Sequence, residues 1–208
     1  MEIGHLNVMQ NWHKDLSDQE MWQGEIDLAI SADRLGFDSL WCVEHHFEDY
    51  GLCPDNIQYL TYLASQTKNA KLVPGAVILP WNDPLRIAEK MSMLEYYAPG
   101  RVALGIGRGL ARREYNGFRV PMEEARGRFE EGARLVLDAR ERIRRARPRL
   151  GAVGTAFAAH AVEPFGRRVP RLEVAVVDRP GRRLAAEVLQ RAEVALAEAQ
   201  QGSAVDLG

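Results

Sequence analysis

The sequence predicts an α/β fold of the TIM (β/α)8 barrel type, truncated to about its first four βα units and followed by an atypical tail. Short apolar runs alternate with amphipathic helical patterns throughout residues 1–138. The apolar runs are nearly continuous, which is typical of parallel strands covered by helices on both faces. A complete eight-stranded barrel needs about 250 residues, and the 208 residues here supply about four units. We therefore interpret residues 1–138 as the N-terminal half of a barrel.

Helix-capping residues mark the first two units. Ser17 or Asp18 can cap a first helix, and Gly36 follows its last apolar position as a C′ glycine would. The predicted strands cover residues 3–9 and 37–43, and a second helix covers residues 56–67.

The next two units follow the same order. The predicted third strand, over residues 71–79, contains Pro74 and Gly75, which often mark a bulge or a close backbone approach. A helix over residues 85–97, a fourth strand over 101–106, a Gly/Arg loop over 107–120 and a long helix from about Pro121 come after it.

Composition changes abruptly near residue 139. Residues 1–138 carry 14 Lys and Arg against 21 Asp and Glu, whereas residues 139–208 carry 13 against 8. Every Trp, Tyr, Met, Cys, Lys and Asn lies before residue 139. We favour an out-of-frame, poorly ordered tail over residues 139–208, in which case the first and fourth strands would expose unpaired edges. The alternative is a genuine divergent tail, with a weak strand over 172–177 and a helix over 181–200.

Composition also limits location and partners. Cys42 and Cys53 lack metal-ligand spacing and fit a reducing compartment. No segment resembles a signal peptide, and no apolar run approaches the ~20 residues of a membrane span. We expect a cytoplasmic protein without a membrane partner. The arginine-rich stretch over 140–149 lacks interleaved aromatic residues, so we expect no nucleic-acid partner.

Two histidines follow the second predicted strand, where parallel α/β proteins place their chemistry. Alternation sends Val43 and His45 to one face and Glu44 and His46 to the other. We choose His45 as the candidate catalytic residue, since a neutral imidazole can act as a general base near neutral pH. Hydrogen bonding of both imidazoles to backbone remains an equal alternative. The absence of a third ligand at suitable spacing predicts no metal.

Two glycine-containing segments are candidate binding sites. The glycines around Arg108 expose backbone N–H groups, and its guanidinium offers a fork to a phosphate. The spacing does not match a Rossmann fingerprint, so a tight turn with a solvated arginine stays open. A bulge at Gly75 could let a flat ring lie against the main chain, or could be an edge irregularity.

Together these segments resemble the luciferase-like flavin-dependent monooxygenases, the family of bacterial luciferase. The resemblance covers about residues 2–137, in the family's order and spacing. It rests on GFDSLW (36–41), EHHF (44–47), YGL (50–52), VILP (77–80), DPLR (83–86) and GRVALGIGRG (100–109).

The resemblance implies a TIM barrel that binds reduced FMN, reacts it with O2 at the flavin 4a carbon and oxygenates a small organic substrate. His45 would be the active-site histidine beside the isoalloxazine. Gly75 and Ala76 would form a bulge, often with a non-proline cis peptide, that backs the flavin ring. Arg108 would lie on the phosphate side, and Gly109 and Leu110 would offer backbone. A flavin reductase as a partner and a homodimer are further expectations.

The chain departs from the family pattern in two respects. Gly107 stands where bacterial luciferase has a reactive cysteine, so no thiol chemistry is expected there. Further phosphate donors, a mobile substrate loop and strands five to eight are not evident after Asp138. A non-catalytic flavin-binding or structural half barrel and a deazaflavin-dependent oxidoreductase therefore remain alternatives to an FMN-dependent monooxygenase.

Overall fold

The computed structural model describes residues 2–150 and 174–177, which form parallel strands alternating with helices. The strands are β1 (Gly4–Asn7), β2 (Ser39–Cys42), β3 (Lys71–Pro74), β4 (Val77–Ile78), β5 (Leu104–Gly107) and β6 (Val174–Val177). The helices are α1 (Asp18–Arg34), α2 (Asn56–Gln66), α3 (Pro84–Tyr97), α4 (Arg112–Gly117) and α5 (Ala125–Leu150). Two short 3-10 turns, Leu79–Trp81 and Met122–Glu124, precede α3 and α5.

The strands pair in parallel in two sets of three, β1-β2-β3 and β4-β5-β6. Leu40 in β2 lies between His5 and Leu72 in the register of the first set. An isolated parallel bridge between Leu72 and Val102 connects the first set to the segment that leads into β5. Within each set, strands that follow one another in the chain are neighbours, as expected for consecutive βα units.

The predicted caps of α1 are confirmed, and the structure adds two N-caps that were not predicted, at α2 and α3. Ser17 and Glu20 form a reciprocal capping box at the start of α1, which satisfies two otherwise unpaired backbone donors. Gly36 follows α1 with a φ of 87°, a left-handed conformation that glycine adopts without a steric penalty. Asp55 caps α2, and Asp83 caps α3, which begins with Pro84.

The hydrophobic core lies between the strands and the helices that cover them. Fully buried side chains from β2, β3 and β5 meet side chains from α2, α3 and α5. They include Leu40, Leu60, Leu72, Met91, Leu104, Ile106 and Phe129. This packing holds the carboxyl ends of neighbouring parallel strands at one end of the sheet.

The third predicted strand, over 71–79, is interrupted at the predicted bulge. The non-proline cis peptide that the family resemblance implies at Gly75 and Ala76 is confirmed. Gly75 and Ala76 separate β3 from β4, and the peptide bond between them is cis. The Gly75 N–H donates to the Cys42 carbonyl at 2.7 Å. The buried Asn56 side chain donates to the Cys42 and Ala76 carbonyls, both at 3.1 Å. These bonds replace the regular ladder at the break.

The prediction that residues 107–120 form a loop is wrong, because this segment contains helix α4. Glu114 and Tyr115 are almost completely buried on this short helix. Their burial, rather than apolar periodicity, anchors the turn against the rest of the chain. The long helix begins at Ala125, after a 3-10 turn, instead of near Pro121.

Part of the compositionally distinct tail belongs to the described fold. Helix α5 continues through residue 139 to Leu150, and β6 pairs with β5 along Leu104–Gly107. The expectation of an unpaired edge on the fourth predicted strand is therefore wrong. The predicted helix over 181–200 lies outside the described residues. Among the residues that the structure describes, no helix is long and apolar enough to cross a membrane.

Candidate active site

His45 and His46 lie in the loop after β2, and their imidazoles contact two different buried carboxylates. His45 Nδ1 lies 3.0 Å from Glu114 Oε1, whereas His46 Nε2 lies 3.1 Å from Glu44 Oε1. Because β2 ends at Cys42, the histidines stand just beyond the strand. Backbone groups are the alternative partners expected for these rings, but the partners in the structure are side chains.

The Glu114 carboxylate fixes the His45 ring. The same Oε1 also accepts the His46 backbone N–H at 3.0 Å. Burial alone would raise the pKa of Glu114, but these hydrogen bonds and the nearby imidazoles outweigh it and hold the pKa below its ordinary value. An ionised carboxylate only accepts hydrogen bonds, so the proton of His45 is on Nδ1. Nε2 is then the nitrogen available to exchange a proton.

Two neighbours in the same loop restrict the His45 side chain further. The Tyr50 ring lies edge-to-face on it, with centroids 4.7 Å apart. Gly51 approaches closely: a Cβ at that position would lie 3.1 Å from His45 Cβ and Cδ2. His45 nevertheless keeps 27% of its side chain exposed. It is therefore oriented by the protein and still accessible to a small molecule.

Glu44 is a hydrogen-bonding centre that connects this loop to β4 and the turn after it. Besides His46, it accepts from Trp81 Nε1 at 2.8 Å, Asn82 Nδ2 at 2.9 Å and the Ile78 N–H at 3.1 Å. Its carboxylate is almost fully buried. Such a charge is stable in the interior only because several donors surround it. Glu44 thus holds the histidine loop against the strand that follows the cis bulge.

The bulge is packed closely between neighbouring strands. A Cβ on Gly75 would lie 2.9 Å from the Trp41 ring, and a Cβ on Gly105 would lie 2.0 Å from the Pro74 carbonyl oxygen. Only a glycine at position 105 lets β5 approach β3 this closely. Ala76 is nearly buried, and Gly75 is half-buried.

The turn after β5 carries the other predicted binding residues. Gly109 has a φ of 81°, and a Cβ there would lie 2.8 Å from both Ile78 and the Trp81 ring. The Tyr115 hydroxyl donates to the Arg108 carbonyl. Arg108 is half-buried, whereas Leu110 is largely exposed.

The structure thus brings most of the predicted residues to one end of the parallel sheet. His45 is joined to α4 through Glu114, and Arg108 is joined to the same helix through Tyr115. The bulge is connected to them through Ile78 and Glu44. The side chain of Leu110, by contrast, is largely exposed. An imidazole that is oriented by a buried carboxylate is suited to proton transfer.

Sequence reasoning missed the residues that support these groups, namely Glu44, Asn56, Asn82, Glu114 and Tyr115. Glu44 could have been found, because a carboxylate beside two histidines is a natural partner for one of them. The others carry no local signal. Their partners are between 4 and 69 residues away in the chain.

Comparisons with known proteins agree with this architecture. The profile of one protein family, described as luciferase-like monooxygenase, matches residues 1–205. The alkanal monooxygenase alpha chain of Photorhabdus luminescens is 30% identical over 120 residues, which cover 58% of this chain and 33% of that protein. An uncharacterized protein of Sinorhizobium fredii, y4wF, is 34% identical over 114 residues, or 55% of this chain and 33% of that protein.

Solved structures are similar over the same region. Monooxygenase RslO1 from Streptomyces bottropensis has a TM-score of 0.63 at 34% identity, over 65% of this chain and 42% of that one. The oxygenating constituent of a 3,6-diketocamphane monooxygenase from Pseudomonas putida, solved with FMN, has a TM-score of 0.60 at 25% identity, over 65% and 38%. The matches to the curated relatives span about a third of those proteins' length.

Proposed function

Because this chain belongs to the luciferase-like monooxygenase family, we propose that it is an oxidoreductase that uses reduced FMN and O2 to oxygenate a small organic substrate. The observation that carries this proposal is the His45–Glu114 pair, an accessible imidazole oriented by a buried carboxylate. It lies at the end of the sheet that also presents the cis bulge and Arg108.

The donor set at this end of the sheet fits FMN. The guanidinium of Arg108 suits a phosphate, which it can bind through two parallel hydrogen bonds. Gly75 has no side chain and Ala76 has only a methyl group, so a flat ring could rest on the main chain there. The two nearby carboxylates, Glu44 and Glu114, are engaged by donors from the chain itself. These hydrogen bonds reduce the repulsion that the two carboxylates would exert on an anionic phosphate.

Each residue then has a separate task in the proposed reaction. Reduced FMN would supply the electrons that O2 activation requires. His45 would accept or donate a proton at Nε2, while Nδ1 stays hydrogen-bonded to Glu114. Arg108 would hold the phosphate, with backbone from Gly109 and Leu110, and Gly75 and Ala76 would support the ring.

FMN binding tests this proposal directly. We expect the fluorescence of oxidised FMN to be quenched saturably by the full chain. Arg108→Ala should weaken the affinity by about tenfold or more, because a charge-assisted phosphate contact is lost. Arg34→Ala, which removes an exposed arginine at the end of α1, should leave the affinity unchanged.

Other outcomes would favour the alternatives. Binding of a deazaflavin coenzyme without binding of FMN would replace the proposed cofactor. Binding of neither would indicate a structural half barrel. An equal loss of affinity in the Arg108 and Arg34 variants would remove Arg108 from the site.

A further inference from the structure

Three aromatic rings form a row from the surface of the protein to the candidate catalytic imidazole. Trp12 packs edge-to-face on Tyr50, with centroids 5.7 Å apart at 87°, and Tyr50 packs in the same way on His45 at 4.7 Å and 83°. Trp12 leaves 62% of its surface exposed and Tyr50 leaves 37%. We call Trp12, Tyr50 and His45 the aromatic row. A large exposed indole in line with an active-site residue suggests a ligand surface.

The loops that carry the aromatic row are held together rather than free. Lys14 and Asp49 form an ion pair of 2.8 Å between the β1–α1 loop and the β2–α2 loop. The Leu52 N–H donates to the Met9 carbonyl at 3.0 Å, which joins the same two loops. Asn11, beside Trp12, is nearly buried and donates to the Leu16 carbonyl and to Asp18. Trp12 is therefore presented from an ordered segment.

The geometry of the row selects for a flat aromatic ligand. Because the Trp12 and Tyr50 rings are nearly perpendicular, a third ring that stacks on the indole face is also perpendicular to Tyr50 and can contact it edge-to-face. Aromatic rings gain from such offset and edge contacts beyond the apolar area they bury, and alkyl chains do not. At the inner end of the row, Nε2 of the neutral His45 imidazole is a hydrogen-bond acceptor when the ring hydrogen is on Nδ1, which faces Glu114. A ligand hydroxyl can donate to that nitrogen.

We propose that the aromatic row binds a phenol-class substrate, with its ring on Trp12 and Tyr50 and its hydroxyl directed to His45 Nε2. This proposal rests on the proposed function, because it gives the substrate class for the same site. The hydroxyl would stand next to the atom that takes up a proton. Trp12 is then a specificity-determining residue that contacts the substrate.

A matched pair of ligands tests the proposal by isothermal titration calorimetry on the full chain. Para-ethylphenol and n-octanol have the same number of carbon atoms and one hydroxyl each, but only the first has a ring. We expect para-ethylphenol to bind about tenfold tighter. Trp12→Leu should weaken para-ethylphenol about fivefold and change n-octanol less than about twofold. Trp12→Phe, which keeps a ring, should retain most of the preference.

The control is Tyr97→Leu, which removes an equally exposed aromatic residue from the end of α3 and should change neither affinity. Equal affinities for the two ligands, an equal effect of Trp12→Leu on both, or binding of neither would overturn the proposal. The titrations are run with and without oxidised FMN. Failure of FMN to bind, with para-ethylphenol binding intact, would count against the proposed cofactor alone.

Discussion

At the scale of single residues, two buried carboxylates organise the candidate site. Glu114 fixes the tautomer of His45, and Glu44 collects donors from the histidine loop and from the segment after β4. Each carboxylate accepts hydrogen bonds from N–H groups that would otherwise be buried without an acceptor. The catalytic proposal for His45 therefore depends on residues that the local sequence does not mark as functional.

Glu114→Gln should lower the free energy of unfolding by about 1–3 kcal/mol at neutral pH, because hydrogen bonds to a charged group are lost. The pKa of Glu114 in the folded protein lies below its ordinary value of 4.5. Its contribution is thus complete above that value and is lost as pH falls through the lower folded pKa. The stability gap between the two proteins should narrow below pH 4.5.

Urea unfolding at a series of pH values measures this gap. Glu89→Gln, an exposed carboxylate on α3, serves as the control, and its effect should stay small throughout. A gap for Glu114→Gln that widens in acid would show that its carboxylate is not stabilised as the geometry indicates.

Glycine 105 gives a second prediction at this scale. Gly105→Ala would place a Cβ 2.0 Å from the Pro74 carbonyl oxygen, on backbone that cannot move aside easily. We expect a loss of about 3 kcal/mol or more. Gly24→Ala is the matched control, since nothing lies within 4 Å of its Cβ position inside α1. Because alanine favours helix, that variant should gain up to about 1 kcal/mol. Thermal unfolding of both proteins separates the effects, and similar stabilities would contradict the close packing of β5 on β3.

At the scale of elements, the sequence was informative where the determinants are local. The caps at Ser17, Asp55 and Asp83 and the glycine at position 36 belong to short motifs, and these helices begin and end close to prediction. Helix α4 was missed because its six residues make fewer than two turns, which is too short to show the repeating pattern of apolar residues that predicts a helix. Pro74 and Gly75 indicated an irregular strand, but its exact break depends on Asn56 and Cys42, which are distant in sequence.

Asn56 joins helix α2 to the bulge through two side-chain hydrogen bonds. Asn56→Leu keeps the size of the side chain but leaves the Cys42 and Ala76 carbonyls without this donor in a buried site. We expect a loss of about 2–4 kcal/mol. Gln58→Leu, at an exposed position on the same helix, should change stability by less than about 0.5 kcal/mol. Denaturant midpoints measure the stability of both variants. An Asn56 variant as stable as the Gln58 variant would show that the two Asn56 hydrogen bonds do not stabilise the bulge.

At the scale of the whole molecule, the described fold consists of parallel strands covered by helices, and the β5 edge pairs with a strand from the compositionally distinct tail. Residues 104–107 pair with residues 174–177 in parallel. Parallel pairs with long connections depend on the global fold, so neither the pairing nor its register could be read from the sequence. The sequence did place a weak strand over 172–177.

Hydrogen exchange tests this pairing without any substitution. We expect backbone amides within residues 174–177 to exchange much more slowly than in an unstructured peptide, because they belong to the β5–β6 ladder. Rates equal to those of an unstructured peptide would contradict the pairing.

The out-of-frame origin of residues 139–208 stays a prediction. The coding DNA around codon 139, translated in all three frames, checks it. A second frame that continues with βα units would support that origin, and the absence of such a frame would favour a genuine tail.

The His45→Ala variant tests most directly whether His45 transfers a proton in a flavin-dependent reaction. Turnover is measured with reduced FMN, O2 and the best substrate from a panel of small organic compounds, alongside the affinity for FMN. We expect turnover to fall about 100-fold or more, while FMN affinity changes less than about threefold. An equal loss of turnover and FMN affinity would instead make His45 a structural residue.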